Sequence, residues 1–353
     1  MTLERHASFE SVSAEWEALA QRVDAPPFLR PGWLAAWWAA FGHGSVEIVV
    51  LRREGRMAAV LPLSRRLGVL RSPTNWHQPS YGAVAADEDA RRELALELLG
   101  GARRPLALRL LDAEASDCEA FLAAAGPARG VVCTRVQQRS PYLDIAGDWE
   151  TYLRRAMNSS RRADMRRRHR RLAEAGEVRT RFEEAWDGLD ARLTDVLALE
   201  ASGWKREAGT AIVCHPATEV FYREIANWAA ARGWLRLAFL DLDGRPIAAE
   251  FMLEHAGVMY GLKGGYDVGL REFGIGHHLR GEVVARCFAR GLRRLDFLGG
   301  ESPAKRVWTQ TARDLVAIEF FPRSTAGVVG VASYRYGRPV AKRTRSYVSR
   351  LRH

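Results

Sequence analysis

The segment Arg271-Glu272-Phe273-Gly274-Ile275-Gly276-His277-His278 has the makings of a backbone cradle for an anion. Gly274 and Gly276 carry no side chain to block close approach, and the peptide N–H groups that open a helix have no intrahelical acceptor, so they can hold a pyrophosphate. A nearby apolar strand supplies one acid, Glu250 between Ala249 and Phe251. It is either a base with a raised pKa or the solvent face of an alternating strand. His277 and His278 are adjacent and cannot place both imidazoles on one helix face, which argues against a metal site. There is no Gly-x-Ser-x-Gly elbow, no Gly-Lys-Ser/Thr phosphate loop and no His-Glu-x-x-His, and Leu279 occupies the third glycine position of a dinucleotide fingerprint.

The elements around the turn are legible. Leu279, Val283, Val284, Cys287 and Phe288 recur at the helical period, and Gly291 supplies a left-handed stop. Upstream, Leu235 to Asp241 reads as a strand, Asp243-Gly244 as a hairpin turn, and Pro246 to Glu254 as a second strand. Gly257 marks another turn before a third strand, Val258 to Tyr266. Leu295 to Leu298 is a short strand after the helix, followed by Gly299-Gly300.

Three antiparallel strands, a glycine cradle, a helix and a parallel-returning strand resemble the core of the GNAT acyltransferase superfamily. Its phosphate-loop pattern, Gln/Arg-x-x-Gly-x-Gly/Ala, is matched by Arg271, Gly274 and Gly276. From about Phe28 to about Phe321 the order of short motifs resembles one branch more closely, the CelD/BcsL-like acetyltransferases linked to cellulose and exopolysaccharide biosynthesis, relatives of the Fem-type aminoacyl transferases. Those motifs are the tryptophans of Phe28 to Phe41, the arginines of Ser159 to Gly176, Trp204-Lys205, Gly209 to Ile212, Gly265-Tyr266-Asp267, and Asp296-Phe297 followed by Lys305 and Trp308. Arg271-Glu272-Phe273 departs from that branch, which more often has Ser-Pro before the first cradle glycine.

The resemblance implies an N- or O-acyltransferase that moves an acyl group by direct transfer. The donor is acyl-CoA or the phosphopantetheine of an acyl-carrier protein, and no metal takes part. The acceptor is an amine or hydroxyl on an amino acid, sugar or polysaccharide precursor. The cofactor site is expected at Arg271, Phe273, Gly274, Ile275, Gly276 and His277. Asp267, with Glu250 as the alternative base, and Lys305 are the implied catalytic groups, and Trp204, Lys205, Tyr266 and Trp308 the implied substrate contacts. A Fem-like aminoacyl-tRNA-dependent transferase and a non-catalytic scaffold for exopolysaccharide synthesis stand beside this reading.

Composition is that of an ordinary globular protein, with 353 residues, 47% hydrophobic and 27% charged. Cys118, Cys133, Cys214 and Cys287 are too scattered for a disulfide framework or a zinc site, which fits a reducing cytoplasm. No run approaches the length of a spanning helix, and no apolar leader follows Met1. The net charge of +11 is concentrated in two segments. Arg154 to Arg181 holds 11 Arg against three acids, and Arg335 to His353 holds seven Lys or Arg and no acid.

The expected class is α/β, with two tandem GNAT-like domains and mostly antiparallel sheets flanked by helices. Residues 1–150 form a degenerate N-terminal copy, 151–325 the acyltransferase domain, and 326–353 a basic tail. In the first copy, Val12 to Val23 and Arg91 to Leu99 read as helices, Val46 to Leu51 and Met57 to Leu63 as a hairpin around Glu54-Gly55, and Leu106 to Leu111 as a strand. Trp33, Leu34, Trp37, Trp38 and Phe41 fall at helical spacing, the pattern of a core stripe or of an acyl pocket. The loop Trp76 to Gly82 is a secondary acceptor-side candidate. The arginine helix, Ser160 to Ala175, has too few apolar residues to be buried. It either stays solvated or meets a coenzyme phosphate, an acidic carrier protein, RNA or anionic lipid. The tail is suited to an anionic polymer or the inner membrane leaflet.

Overall fold

The structure is a computed structural model that describes residues 2–66, 68–202, 209, 211–332 and 334. Trp204, Lys205 and the basic segment from Arg335 to His353 lie outside the described residues. In chain order the elements are β1 (Thr2–His6), α1 (Ser13–Arg22), α2 (Pro31–Phe41), β2 (Ser45–Arg53), β3 (Arg56–Arg66), β4 (Val69–Arg71), β5 (Val84–Ala85), α3 (Glu88–Gly100), β6 (Leu106–Asp112), α4 (Ser116–Ala125) and β7 (Val131–Asp144). There follow α5 (Trp149–Ala156), α6 (Ser159–Ala175), β8 (Val178–Glu183), α7 (Leu189–Glu200), α8 (Pro216–Ala230), β9 (Leu235–Leu242), β10 (Arg245–His255), β11 (Val258–Tyr266), α9 (Ile275–Ala289), β12 (Arg294–Asp296), α10 (Pro303–Arg306), β13 (Ala312–Phe321) and α11 (Thr325–Ala332).

Two compact units emerge, divided differently from the sequence blocks 1–150, 151–325 and 326–353. The first comprises the described parts of Met1–Leu34, Gly42–Gln138 and Asp314–His353, and the second Ala35–Phe41 and Arg139–Arg313. Strand β13 is the reason. It follows the second set of strands in the chain yet pairs with β6 of the first unit.

In the first unit the strands run β1-β2-β3-β4-β6-β13, antiparallel except for the parallel pair β4 and β6. β3 is apolar over both faces because α1 packs on it as well as α3. Leu61, Leu94, Leu98, Leu108, Phe121 and Phe320 form part of the core. Trp33 and Leu34 are buried, and so is Trp37 of the second unit, as the core reading of that stripe requires. The loop Trp76 to Gly82 is mostly turned inward. Gln78 accepts from the Trp33 indole at 2.8 Å and donates to the carbonyls of Phe28 and Ser80, while Trp76 is exposed. At the start of α3 the Asp87 carboxylate accepts the Ala90 N–H at 2.7 Å. A negative charge is thus already built into that helix start, which makes it unfit for a phosphate.

The second unit repeats the plan. β8, β9, β10 and β11 form an antiparallel meander, α9 crosses over, β12 returns parallel to β11, and Arg139–Asp144 of β7 completes the sheet beside β12. The β9–β10 turn has left-handed backbone at Asp243 and Gly244, as the Asp-Gly pair predicts. Side chains alternate across β10 and β11, so Gly265 faces α7 while Glu250 and its cross-strand neighbour Gly264 face α9. α9 buries Leu279, Val283, Val284 and Cys287 against this sheet, the stripe expected from the sequence. This mixed α/β architecture is the one the strand and helix order implies.

Candidate active site

The glycines place the start of α9. Val268–Phe273 is a 3-10 turn capped by Asp267, whose Oδ1 accepts the Gly269 N–H at 2.9 Å. Gly274, with φ +65°, takes the left-handed conformation that ends this turn, and α9 begins at Ile275. The N–H groups of His277 and His278 both return to the Gly274 carbonyl, at 2.9 and 3.0 Å. Those of Ile275 and Gly276 have no acceptor within the helix. A Cβ on Gly276 would stand 3.0 Å from the Tyr266 ring, so a side chain here would crowd the turn. Ile275, expected at the cofactor, is fully buried, so of these two N–H groups only that of Gly276 belongs to a partly exposed residue.

In front of this turn lies a cavity of about 670 Å³ between α5, α6 and α9. Arg154, Arg161, Arg162, Arg166 and Arg168 stand in its wall with His169 and His277, while Trp149, Leu153, Met165, Phe273 and Val307 supply apolar surface. The arginine helix is therefore a wall of this cavity and is not simply solvated. Arg168 bonds Asp164 at 2.8 Å and the Glu272 carbonyl at 3.2 Å, and Arg171 pairs with Glu272 at 2.9 Å. These contacts tie α6 to the loop that leads into the cradle. Arg161 and Arg166 have no acidic partner among the described residues.

The field of these guanidinium groups reaches His277. Burial of its inner edge, and then Arg161, Arg168 and Arg280, hold His277 below its ordinary pKa. His278, whose ring lies 4.0 Å from that of His169, is pushed down to about 4 by burial and by that neighbour. Both rings are therefore neutral at pH 7.

A second cluster stands where β11 and β12 part. Their ladder ends at the pair Tyr260–Asp296, while β11 continues to Tyr266. Glu250 is buried here and pairs with Arg280 of α9, Nε to Oε1 at 2.8 Å. The solvent-face reading of Glu250 is therefore corrected, because α9 covers that side of β10. After Asp296 the chain turns through Leu298 and Gly299, both at positive φ, and Lys305 of α10 donates from Nζ to the carbonyls of Leu298 and Gly300. Burial first, and then Arg280, pull the Lys305 ammonium down to about 8. Lys305 is thus half-buried and pointed into the turn, not an exposed lysine at a helix start.

The other expected residues separate by environment. Asp267 is engaged by its cap and by Arg245 at 2.9 Å. Trp308, expected at the substrate, is a core residue only 2% exposed and packs on Gly281, because α10 turns it inward. Tyr266 is exposed beside Gly276, Phe273 lies under the Arg171 guanidinium, and Arg271 is exposed on the 3-10 turn. Sequence reasoning missed Arg280 and Asp296 as members of the site. Asp296 stood among the motifs that carry the resemblance without being assigned to the site, and for Arg280 the available signal was its place one helical turn after the cradle.

The meander, the crossover helix opening at a glycine turn and the parallel return of β12 make the fold of the second unit GNAT-like. Residues 159–306 match the sequence model described as acetyltransferase (GNAT) domain. Among solved structures the chain is similar to FemX, with 9% identity, 91% of this chain and 97% of that one covered, and a TM-score of 0.56. It is also similar to the C-terminal domain of a putative lysylphosphatidylglycerol synthetase from Agrobacterium fabrum, with 11% identity, 88% and 92% covered, and a TM-score of 0.54. A conserved protein of unknown function from Bacteroides thetaiotaomicron aligns with 10% identity, 90% and 99% covered, and a TM-score of 0.55. At such identities the likeness is one of fold. No curated protein matches the sequence. No helix among the described residues is long and apolar enough to cross a membrane.

Proposed function

We propose that the second unit moves an acyl group from a phosphate-bearing thioester, coenzyme A or a carrier-protein phosphopantetheine, to an amine or hydroxyl of an amino acid, sugar or polysaccharide precursor. The observation that supports it is the opening of α9 at Gly274 onto a cavity walled by Arg161, Arg166 and Arg168. Unpaired helix N–H groups and planar guanidinium forks are the two standard protein ligands of phosphate. When bound, the thioester supplies an activated acyl carbonyl. The N–H group of Gly276 at the opening of α9, with Arg161 and Arg166, holds its phosphates. Lys305 donates to the carbonyl oxygen as negative charge develops on it. Asp267 is occupied by its cap, which leaves Glu250, packed between Gly264 and Arg280, to take the proton of the attacking group, while the carbon–sulfur bond breaks and the leaving thiolate is protonated from water.

Titration of the whole protein with coenzyme A by calorimetry tests the donor. Binding that weakens at least tenfold in Arg161→Glu/Arg166→Glu is expected, and absence of binding to the unaltered protein overturns the thioester reading. A second reading, aminoacyl-tRNA as donor, is favoured by the exposed Arg161, Arg166, Arg167 and Arg170 along α6 and by the fold shared with FemX and the lysylphosphatidylglycerol synthetase domain. Transfer that vanishes on RNase treatment and is not restored by acyl thioesters selects it.

A further inference from the structure

The turn after β12 is held in a conformation that its sequence does not favour. Leu298 is buried with φ +51°, the left-handed region in which a branched side chain is strained, and Gly299 follows at +55°. One contact fixes it. Asp296 Oδ1 accepts the Leu298 N–H at 2.9 Å. Asp296 is itself almost wholly buried, and its other oxygen pairs with Arg313, which stacks its guanidinium towards the Tyr142 ring. The bent turn directs the carbonyls of Leu298 and Gly300 at the Lys305 ammonium, and a Cβ on Gly299 would come within 3.5 Å of Nζ. An ammonium has three N–H donors, so two are engaged and the third has no acceptor among the described residues.

We propose that Asp296 is a positioning residue that acts through Lys305. By holding Leu298 left-handed it aims two carbonyl groups at the ammonium and leaves the third N–H directed for an acyl carbonyl oxygen. Strain at Leu298 is then the cost of a donor fixed before substrate arrives, which spares reorganisation during the reaction. The proposal takes the role of Lys305 from the acyltransferase reading, yet the cage can be measured without any transfer. Lys305 is faced by Arg280 from α9, Lys263 from β11, Glu250 from β10 and Asp296 from β12. A change of charge at Asp296 and a release of the cage therefore have opposite signs. Loss of the carboxylate charge alone lowers the Lys305 midpoint. Escape of the ammonium to water raises it.

The test is competitive labelling of the whole protein with trace acetic anhydride between pH 6 and 11, with Lys305 acetylation read by peptide mass spectrometry. The unaltered protein is expected to label Lys305 with a midpoint near 8. Asp296→Asn keeps an acceptor for the Leu298 N–H and should stay within half a unit of it. Asp296→Leu/Arg313→Met removes the buried pair together, so that no lone charge unfolds the site. It should raise the midpoint by at least one unit, about a fivefold loss of reactive amine at pH 8. Circular dichroism confirms that each variant is folded. A double variant that is folded but labels with the unaltered midpoint overturns the proposal, as does Asp296→Asn moving as far as the double variant. If the midpoints behave as expected but no acyl donor binds, the cage stands and the acyltransferase reading falls.

Discussion

Arg280 of α9 grips Glu250 of β10 along one guanidinium edge, Nε to Oε1 at 2.8 Å and Nη2 to Oε2, so the helix that opens at the cradle is pinned to the strand that carries the candidate base. Its neighbour Gly281 lines the cationic cavity. Two adjacent residues of one helix thus serve the two halves of the site.

Breaking that pair from one side leaves a charge buried without its partner. Arg280→Met is expected to destabilise the protein by about 3 kcal/mol, with Glu250→Gln/Arg280→Met recovering most of the loss. Urea denaturation of the two variants checks this, and equal losses would show that the pair is not energetically coupled.

Gly265 and Gly264 predict opposite tolerance on the two faces of β11. A Cβ at Gly265 would lie 2.3 Å from the Leu199 carbonyl and 2.4 Å from the Glu200 backbone, whereas at Gly264 it would meet the Glu250 carboxylate at 3.2 Å. Gly265→Ala should cost about 2 kcal/mol or more, since helix backbone must move, and Gly264→Ala clearly less. Thermal melts of both proteins decide it.

His278 makes stability depend on acid. Its folded pKa of about 4 lies below the value of 6.5 for an unhindered imidazole, so the unfolded chain binds the proton first. The stability is complete above about pH 6.5 and is lost as pH falls towards 4. The full loss is about 3 kcal/mol by linkage, with His169 and Glu282 the ionisable neighbours. His278→Phe should flatten this limb in denaturation curves taken across that range.

The Lys305 ammonium sets the alkaline limit of any transfer it assists. Held near 8, it loses its donor proton as pH rises, so the rate should fall about fivefold between pH 8 and 9 and Lys305→Met should remove both the limb and at least 99% of the rate. A pH profile of Lys305→Met that keeps the same alkaline limb would assign it to another group.

Salt tests the phosphate contacts of the thioester reading. Charge reversal at Arg161 and Arg166 should weaken coenzyme A binding at least tenfold and also shallow its salt dependence, because fewer phosphate contacts remain to be screened. Calorimetry at three salt concentrations reads both quantities.

Much of the second unit could be read along the chain because its signals are local. Asp243-Gly244 demands a hairpin, the stripe from Leu279 to Phe288 is an amphipathic helix, and Gly274 supplies the one left-handed residue between a capped turn and that helix. Glu250 was ambiguous for a physical reason. Alternation says that a residue lies on one face of a strand but not what covers that face, and here α9 does. Trp308 and Lys305 sit three residues apart, yet one enters the core and the other a carbonyl cage, a choice made by how the short helix α10 is turned.

By itself the sequence determined the order of strands, the glycine turn with its two unpaired N–H groups, and the concentration of arginine in one helix, because propensity, period and backbone freedom are properties of neighbouring residues. Only the tertiary structure decided that the arginine helix walls a cavity at that turn, that β13 returns to the first unit, and that Asp296, Leu298 and Lys305 form one device. Those facts depend on contacts between segments distant in the chain, where packing and the pairing of buried charge choose among arrangements that local signals leave equal.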